Sequence, residues 1–573
     1  MQAHRPTLMG TRHMAASCHY LAAEVAFKVL EAGGNAIDAG VAAGITLGVV
    51  QPEYVNVAGV APIILYSAAE NRIVTIAGLG TWPRALDRDL FKKHHGSKIP
   101  SGVLRTIVPA APDAWITALS RYGTMSFGEV AEGAIRFARH GFPVYPLMAE
   151  VIAEQEKNYR RFPSNTALYL PNGRPPRVGE IFVQADLART LQYMVDQERA
   201  RSGEGREAGL AAARDAFYRG DIAAAIVRFQ KENGGLLSAE DLAEYRSEIE
   251  APVHTRFGDV DVYGCGPWCQ GPSLLQALNL LDAAELKGFG HNSPDYLHHL
   301  TEAVKLAFAD REAYFGDPRF VDVPIDALLS PEYAALRREM IRPDRAWPEM
   351  PPAGTADQLR VARAPRPAPV PALGWQVPEP DTSYVCVVDR HGNVFSATPS
   401  DGSYNAPVVP GLGICPSPRG SQSWGDPDHP SGVAPGKRPR LTPNPALAMR
   451  PGEMVMPFGT PGGDVQTQAM LQVFLNINLF GMDVQAAVEA PRFASYSFPS
   501  SFEPHDYHPG RLNLEGRLAR DTGTALRDLG HKVEWWPDWT WLAGSVCTIY
   551  ADRKSGVLHG AADPRRPSYA VGW

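Results

Sequence analysis

The chain has 573 residues, 45% of them apolar and 20% charged, with a formal net charge of −7. That length and balance allow a large packed core, on the scale of three or four ordinary domains. The mildly acidic total argues against nucleic acid as the main partner, because phosphate binding needs a basic face. Cys18, Cys265, Cys269, Cys386, Cys415 and Cys547 are too few for a disulfide framework in a chain this long. Cys265 and Cys269 stand as C-x3-C without a second pair, so buried thiols are expected there rather than zinc.

The first 25 residues lack the basic start, apolar core and small-residue cleavage site of a secretory signal. Ala39 to Val50 is too short to span a bilayer and is interrupted by Gly40, Gly44 and Gly48. No membrane contact is expected, and the cytoplasm is the expected location. Leu21 to Ala32 reads as an amphipathic helix stopped by Gly33-Gly34, and Asn35 starts a small-residue helix running to about Val49. Ala61 to Ile76 reads as two short strands about Glu70-Asn71. Ser126–His140, Gln184–Glu198 and Leu210–Glu232 read as helices, and Val260–Tyr263 as a strand. Ser293 to Phe315 has helical spacing at Leu297, Leu300, Val304, Leu306, Ala307 and Phe308. His298 and His299 on it are adjacent and face different ways, so a surface or core role is expected, not a metal.

Ten prolines then fall between Pro343 and Pro380, which reads as an exposed linker. Directly after it, Thr382, Tyr384, Cys386 and Val388 alternate with Ser383, Val385 and Val387. Asp389 to Asn393 is a turn, and Val394 to Thr398 is the return strand. Ala446–Met449 and Val455–Phe458 read as strands. Gln466–Phe480 and Val484–Ala490 read as helices, and Trp541–Ala551 and Gly556–Ala561 as strands. No internal repeat is visible.

Familiar catalytic signatures are absent: there is no G-x-S-x-G, no H-E-x-x-H and no dinucleotide fingerprint. Gly432 to Lys437 resembles a phosphate loop, but is one residue short and has Arg438 where Ser or Thr belongs. There remains Asp381-Thr382-Ser383-Tyr384 at the end of the proline-rich segment. A threonine hydroxyl is a poor nucleophile without a base, and a free N-terminal threonine carries one, its own α-amine. That amine has an ordinary pKa of about 7.7–8.0. The arrangement requires the bond between Asp381 and Thr382 to be cut, which the same hydroxyl achieves by attacking the Asp381 carbonyl. Spacing alone leaves open that Thr382 merely opens a strand.

Arg12 to Glu24, Gly33-Gly-Asn-Ala-Ile-Asp-Ala-Gly40, Leu300 to Arg311 and Gly316-Asp-Pro318 resemble the large-subunit motifs of γ-glutamyltransferases. Asp381-Thr382, Gly436-Lys-Arg-Pro439 and Gly459-Thr-Pro-Gly-Gly463 resemble the small-subunit motifs. The resemblance runs in order over nearly the whole chain. It implies an α+β, N-terminal-nucleophile (Ntn) hydrolase fold, an αββα four-layer sandwich with a largely helical large-subunit portion. It also implies autocleavage into residues 1–381 and 382–573, which stay together, and it is compatible with a higher oligomer of such units. No cofactor or metal is implied. Position by position, Thr382 falls on the nucleophile, Gly462 and Gly463 on the oxyanion-hole N–H pair, and Ser400 on the hydroxyl that bonds the nucleophile. Thr398 and Ser383 are polar support or plain strand residues.

The departures from the family pattern concern the acyl pocket. Leu79 stands where an arginine grips the substrate α-carboxylate, and Arg84 and Arg88 nearby read as surface charges. Gly402, Arg419 and Gln422 stand at the positions that hold the α-amine, and Leu441-Thr442 replaces a serine pair. A cation at 419 with no acidic partner disfavours an ammonium there. Arg419-Gly420, Asp426 to Pro430 and Leu441 to Pro445 resemble instead the branch of cephalosporin acylases, glutaryl-amide acylases and oxamate amidohydrolase. The resulting expectation is a small-molecule amide whose acyl group bears a carboxylate and no α-amine, gripped by Arg419. The alternatives are a γ-glutamyl hydrolase or transpeptidase, and an uncut, non-catalytic scaffold.

Overall fold

The computed structural model describes residues 3–359 and 382–573. The strand Val385–Val388 explains the layering. It is buried on both faces, and its side chains alternate between two different cores. Val385 and Val387 join a helix-covered core with Ile63, Leu65, Phe395 and Ala397. Cys386 and Val388 join Met14, Ile64, Leu447, Val455 and Ile549 in a core between two sheets. A third core holds Val260, Val262, Ala448, Met456 and Phe458 against a second set of helices.

Each sheet has seven antiparallel strands. One runs Tyr569–Gly572, Met14–Ser17, Val385–Val388, Val394–Ala397, Ile63–Ser67, Arg72–Ile76, Ile249–Glu250. The other runs Leu8–Gly10, Leu558–Ala562, Cys547–Asp552, Met454–Gly459, Ala446–Arg450, Val260–Gly264, Val253–Phe257. Helices Tyr20–Glu31, Ala36–Val50, Ala111–Tyr122 and Phe127–His140 cover the first sheet. Gly271–Asn279, Pro294–Tyr314 and Val465–Asn478 cover the second. The architecture is the expected α+β, αββα four-layer sandwich.

The small-residue helix Ala36–Val50 is buried at every position. It starts on an Asn35/Asp38 capping box. The glycines at four-residue spacing let it sit close to its neighbours. A Cβ at Gly40 would lie 2.1 Å from the Phe395 ring, and one at Gly44 2.5 Å from Trp115. The run first read as an interrupted apolar stretch is therefore a packing seam.

Three expectations need correction. Leu210–Glu232 is two helices, Arg206–Tyr218 and Asp221–Glu232, because the chain turns at Arg219-Gly220. Trp541–Ala543 is a 3-10 turn, and the strand begins only at Cys547. The proline-rich stretch is not loose from its start. Up to Leu359 it docks on the helix Pro294–Tyr314, where the Trp347 N–H bonds Glu302 at 3.0 Å and the Gly354 N–H bonds Asp310 at 2.8 Å. Proline prevents regular structure there, but not packing. Asp381 and the remaining linker lie outside the described residues.

The motif residues that suggested the family meet one another. Arg311 donates to Asp464, which follows Gly462-Gly463, at 2.5 Å. The Arg438 N–H and Nη2 donate to Asp317 at 2.9 and 3.1 Å. These buried pairs join residues before 381 to residues after it. Arg311 also bonds Glu312, which takes Arg440 in turn, so the paired charges compensate one another. Among the described residues no helix is long and apolar enough to cross a membrane.

Candidate active site

Thr382 stands just before the central strand Val385–Val388 and is fully buried. Its φ is +79°, an unusual and strained value for a β-branched residue. Its N–H bonds the Tyr54 carbonyl at 3.2 Å, and its carbonyl accepts from Arg566 Nη1 at 3.3 Å. Its Oγ1 lies 2.8 Å from the Ser400 Oγ. Ser400 is held by an isolated antiparallel bridge to Val60, and Gly59 beside it is required because a Cβ would meet the Ser400 carbonyl at 2.3 Å. Ser383 donates its hydroxyl to Gln51 at 2.5 Å, and Thr398 bonds the Pro62 carbonyl through its N–H.

The residues expected to form the acyl pocket fall into two groups. Arg419, at the start of the 3-10 turn Arg419–Gln422, donates through Nη2 to the Ser400 Oγ. It is only 2% exposed, and its Nε pairs with Asp401 at 2.5 Å. Asp401 also accepts from the Ser417 hydroxyl. The expectation of a cation without an acidic partner is thereby corrected, since Arg419 and Asp401 neutralise one another. Gln422 and Thr442 satisfy each other: Gln422 Nε2 donates to Thr442 Oγ1 at 2.9 Å, and the Thr442 N–H returns to Gln422 Oε1 at 3.2 Å. Gly402 is packed against the Tyr404 ring, 2.5 Å from where a Cβ would stand. Leu79 makes no hydrogen bond to this group through its side chain and is buried in an apolar core with Val60, Trp82, Phe91, Trp268 and Leu441.

Gly462 and Gly463 form the turn between the strand Met454–Gly459 and the helix Val465–Asn478. Their φ values are +128° and +56°, which favour glycine. The turn lies at a helix start, where backbone N–H groups lack intrahelical acceptors and face outward. Phe502 links it to the rest of the site. Its ring lies 3.4 Å from a Cβ built on Gly463 and 5.6 Å from the Arg419 guanidinium. The expected residues Thr382, Ser400, Arg419 and Gly463 thus form one continuous cluster.

The sequence profile described as Gamma-glutamyltranspeptidase matches residues 22–573. The chain belongs to the γ-glutamyltranspeptidase family. The Glutathione hydrolase-like YwrD proenzyme of Bacillus subtilis (strain 168) is 31% identical over 574 residues, covering 99% of each chain. The solved structure of LmbA2991HD superposes with a TM-score of 0.93 at 37% identity over the full length of both chains. The cephalosporin acylase from Bacillus halodurans superposes with a TM-score of 0.85 at 29% identity, covering 100% of this chain and 98% of that one. The fold is therefore the Ntn-hydrolase sandwich of the family. The protein is an enzyme of that type, an amidohydrolase or γ-glutamyltransferase-like acyltransferase.

Behind Thr382, this family member has polar residues that motif reading did not single out. Glu53 accepts from the Tyr145 hydroxyl, and burial pushes its carboxyl up to about 7 against the opposing pull of that bond. Tyr54 lies under the Arg566 guanidinium, 4.4 Å from Cζ to ring centroid. Asp401 was also missed, because an acid next to a serine in an irregular loop carries no periodic signal. Phe502 and Arg566 lie more than 100 residues beyond Thr382, and only the fold brings them to it. His298 is a core residue, bonded to His531 at 2.9 Å and to the Arg342 carbonyl at 2.7 Å. Cys265 and Cys269 are buried free thiols. Arg84 and Arg88 are exposed and pair with Glu244 and Asp428.

Proposed function

We propose that the protein matures by cutting itself between Asp381 and Thr382 and then hydrolyses amides through an acyl-enzyme on Thr382. The Thr382 hydroxyl attacks the Asp381 carbonyl, giving an ester that water opens, which frees the α-amine. The dihedral φ of Thr382 includes the carbonyl carbon of residue 381. Cutting that bond removes the constraint, so strain of about 1–3 kcal/mol at such a position favours the cut. The freed amine then takes the hydroxyl proton as Thr382 attacks the substrate amide. The N–H groups of Gly462 and Gly463 hold the oxyanion, and Ser400 fixes the nucleophile's oxygen. Residues 1–381 and 382–573 stay associated through pairs such as Arg311–Asp464 and Asp317–Arg438.

The substrate class is an amide whose acyl group bears a carboxylate and lacks an α-amine. Two buried guanidiniums, of Arg419 and Arg566, contact Ser400 and Thr382. Arg419 is already paired with Asp401, but an ammonium brought to about 4 Å from the Arg566 guanidinium would be repelled by about 4 kcal/mol at an effective dielectric of about 20. The acid closest to an ammonium site, Asp401, is already engaged by Arg419 and Ser417. The observation that carries this reading is the 2.8 Å contact of the Thr382 and Ser400 hydroxyls at a strained residue that begins the expected small subunit. The test is turnover of succinyl, glutaryl, oxalyl and γ-glutamyl anilides by the purified protein. Higher kcat/KM for the dicarboxylic amides than for the γ-glutamyl amide is expected. The similarity to a glutathione hydrolase-like proenzyme favours a second reading, γ-glutamyl hydrolysis. A preference of about tenfold or more for the γ-glutamyl anilide, about 1.4 kcal/mol the other way, would establish it.

A further inference from the structure

We propose that Arg566 is the carboxylate-binding residue of the acyl site, seated on the ring of Tyr54, and that it selects acyl groups that bear a carboxylate. The proposal rests on Thr382 being the attacking residue. Among the described residues, several other buried arginines have acidic partners. Arg311 has Asp464, Arg438 has Asp317, Arg492 has Asp563, Arg565 has Glu515, and Arg419 has Asp401. Arg566 is equally buried, at 3% exposure, yet among the described residues its only hydrogen bond goes to the neutral Thr382 carbonyl. Its Nε and Nη2 have no acceptor.

A desolvated charge without a counter-ion is costly, and each buried donor without an acceptor adds to that cost. Such groups persist where a ligand completes them. Glu53 is an acid that interacts with Arg566 electrostatically, and it compensates it only in part, because burial raises its carboxyl to about 7. Nε and Nη2 share one edge of the guanidinium. That edge meets a carboxylate with two parallel charge-assisted bonds.

Nη1 is 3.3 Å from the carbonyl oxygen of Thr382 itself, so the guanidinium is anchored on the attacking residue while its Nε–Nη2 edge stays without an acceptor. The Tyr54 ring, 4.4 Å away, fixes the plane of the guanidinium. On the other side Trp541 lies at 5.6 Å, half-buried in its 3-10 turn, and connects the cluster to the surface. Arg419 differs in that its charge is already met by Asp401.

The test compares wild type, Arg566→Gln, Arg566→Lys and Arg419→Gln on succinyl anilide and on its neutral isostere butyryl anilide. For Arg566→Gln, the ratio of kcat/KM on the two substrates is expected to fall by about 10- to 100-fold, beyond any loss common to both substrates from the lost Thr382 contact. Arg566→Lys is expected to restore part of the ratio. An equal loss on both substrates would overturn the proposal and leave Arg566 as a residue that positions Thr382. A ratio that follows Arg419→Gln instead would also overturn it. A second measurement does not depend on the variants folding: calorimetric titration of the wild-type protein with free succinate and with butyrate. Succinate is expected to bind and butyrate not, and equal or absent binding of both would overturn the subsite. Turnover by wild type reports on the Thr382 reading separately. Absence of turnover of both anilides, with succinate still bound, would reject that reading and keep the anion site.

Discussion

Replacing Ser400 by alanine removes one oxygen that serves two buried groups. It lies 2.8 Å from Thr382 Oγ1 and accepts from the Arg419 guanidinium. In the resting protein, loss of an acceptor for a buried charged donor costs about 1–3 kcal/mol, read as a lower Tm. In the reaction, the Ser400 hydroxyl meets the Thr382 oxygen as it changes charge, and charge-assisted bonds are worth about 1.5–3 kcal/mol. At about 1.4 kcal/mol per tenfold, that predicts a loss of about 10- to 150-fold. It applies to self-cleavage and to amide turnover alike, because the same oxygen attacks in both. Ser400→Thr keeps the hydroxyl and is expected to keep most of both rates. Cleavage is followed by intact mass over time in freshly purified protein, and turnover by anilide release from the processed form. A Ser400→Ala protein that cleaves itself and turns over amides at wild-type rates would refute the assignment.

Further outcomes follow from other parts of the structure. Gly462→Ala places a side chain at φ +128° and displaces the expected oxyanion donors, so kcat is expected to fall, approaching the 10²–10³-fold typical of a lost donor, with KM little changed; steady-state kinetics decides this. Gly40→Ala drives a Cβ into the Phe395 ring and is expected to lower stability by about 1–3 kcal/mol without changing the cleavage site, as read by denaturant melts. His19, His505 and His531 are buried neutral, with burial pushing them down to about 3, 4 and 2. The unfolded chain takes up protons at these sites below about pH 6.5 while the fold does not, so stability is fully present above that pH and falls as the pH drops, by about 1.4 kcal/mol per unit for each. A Tm unchanged from pH 7 to pH 5 would contradict this. Arg438→Met removes the guanidinium that bridges Asp317 and Glu250, while Asp317 keeps Arg319, so it is expected to cost about 1–3 kcal/mol and to loosen fragment 382–573 from fragment 1–381 on gel filtration in mild denaturant.

Much of the layering was legible because period-two and period-3.6 patterns survive in long buried elements. The hairpin after Thr382 and the long helix ending near Phe315 fall where alternation and helical spacing put them. Breaks set by a single residue were not legible, such as the turn at Gly220 inside an otherwise helical run. Nor was the docking of residues 343–359, where proline content hides contacts made by Trp347 and Gly354. In the site, motif register singled out Thr382, Ser400, Gly462 and Gly463, and the fold brings the first two into contact. The electrostatics could not be read that way, because charge compensation is a property of distance. Arg419 looked unpaired until the loop placed Asp401 beside it, and Arg566, next to Arg565 in the chain, is told apart from it only by the fold, which gives Glu515 and Asp563 to Arg565.

The central claim is that Thr382 becomes the N-terminal residue of a fragment and carries the acyl group. The most direct measurement is intact and peptide mass spectrometry of the protein quenched during turnover of a succinyl amide. The account predicts a fragment of residues 382–573 beginning Thr-Ser-Tyr, with the acyl mass on its first residue, and a single uncut, unlabelled chain for Thr382→Ala. An active protein that remains uncut, or an acyl group found on any other residue, would contradict it.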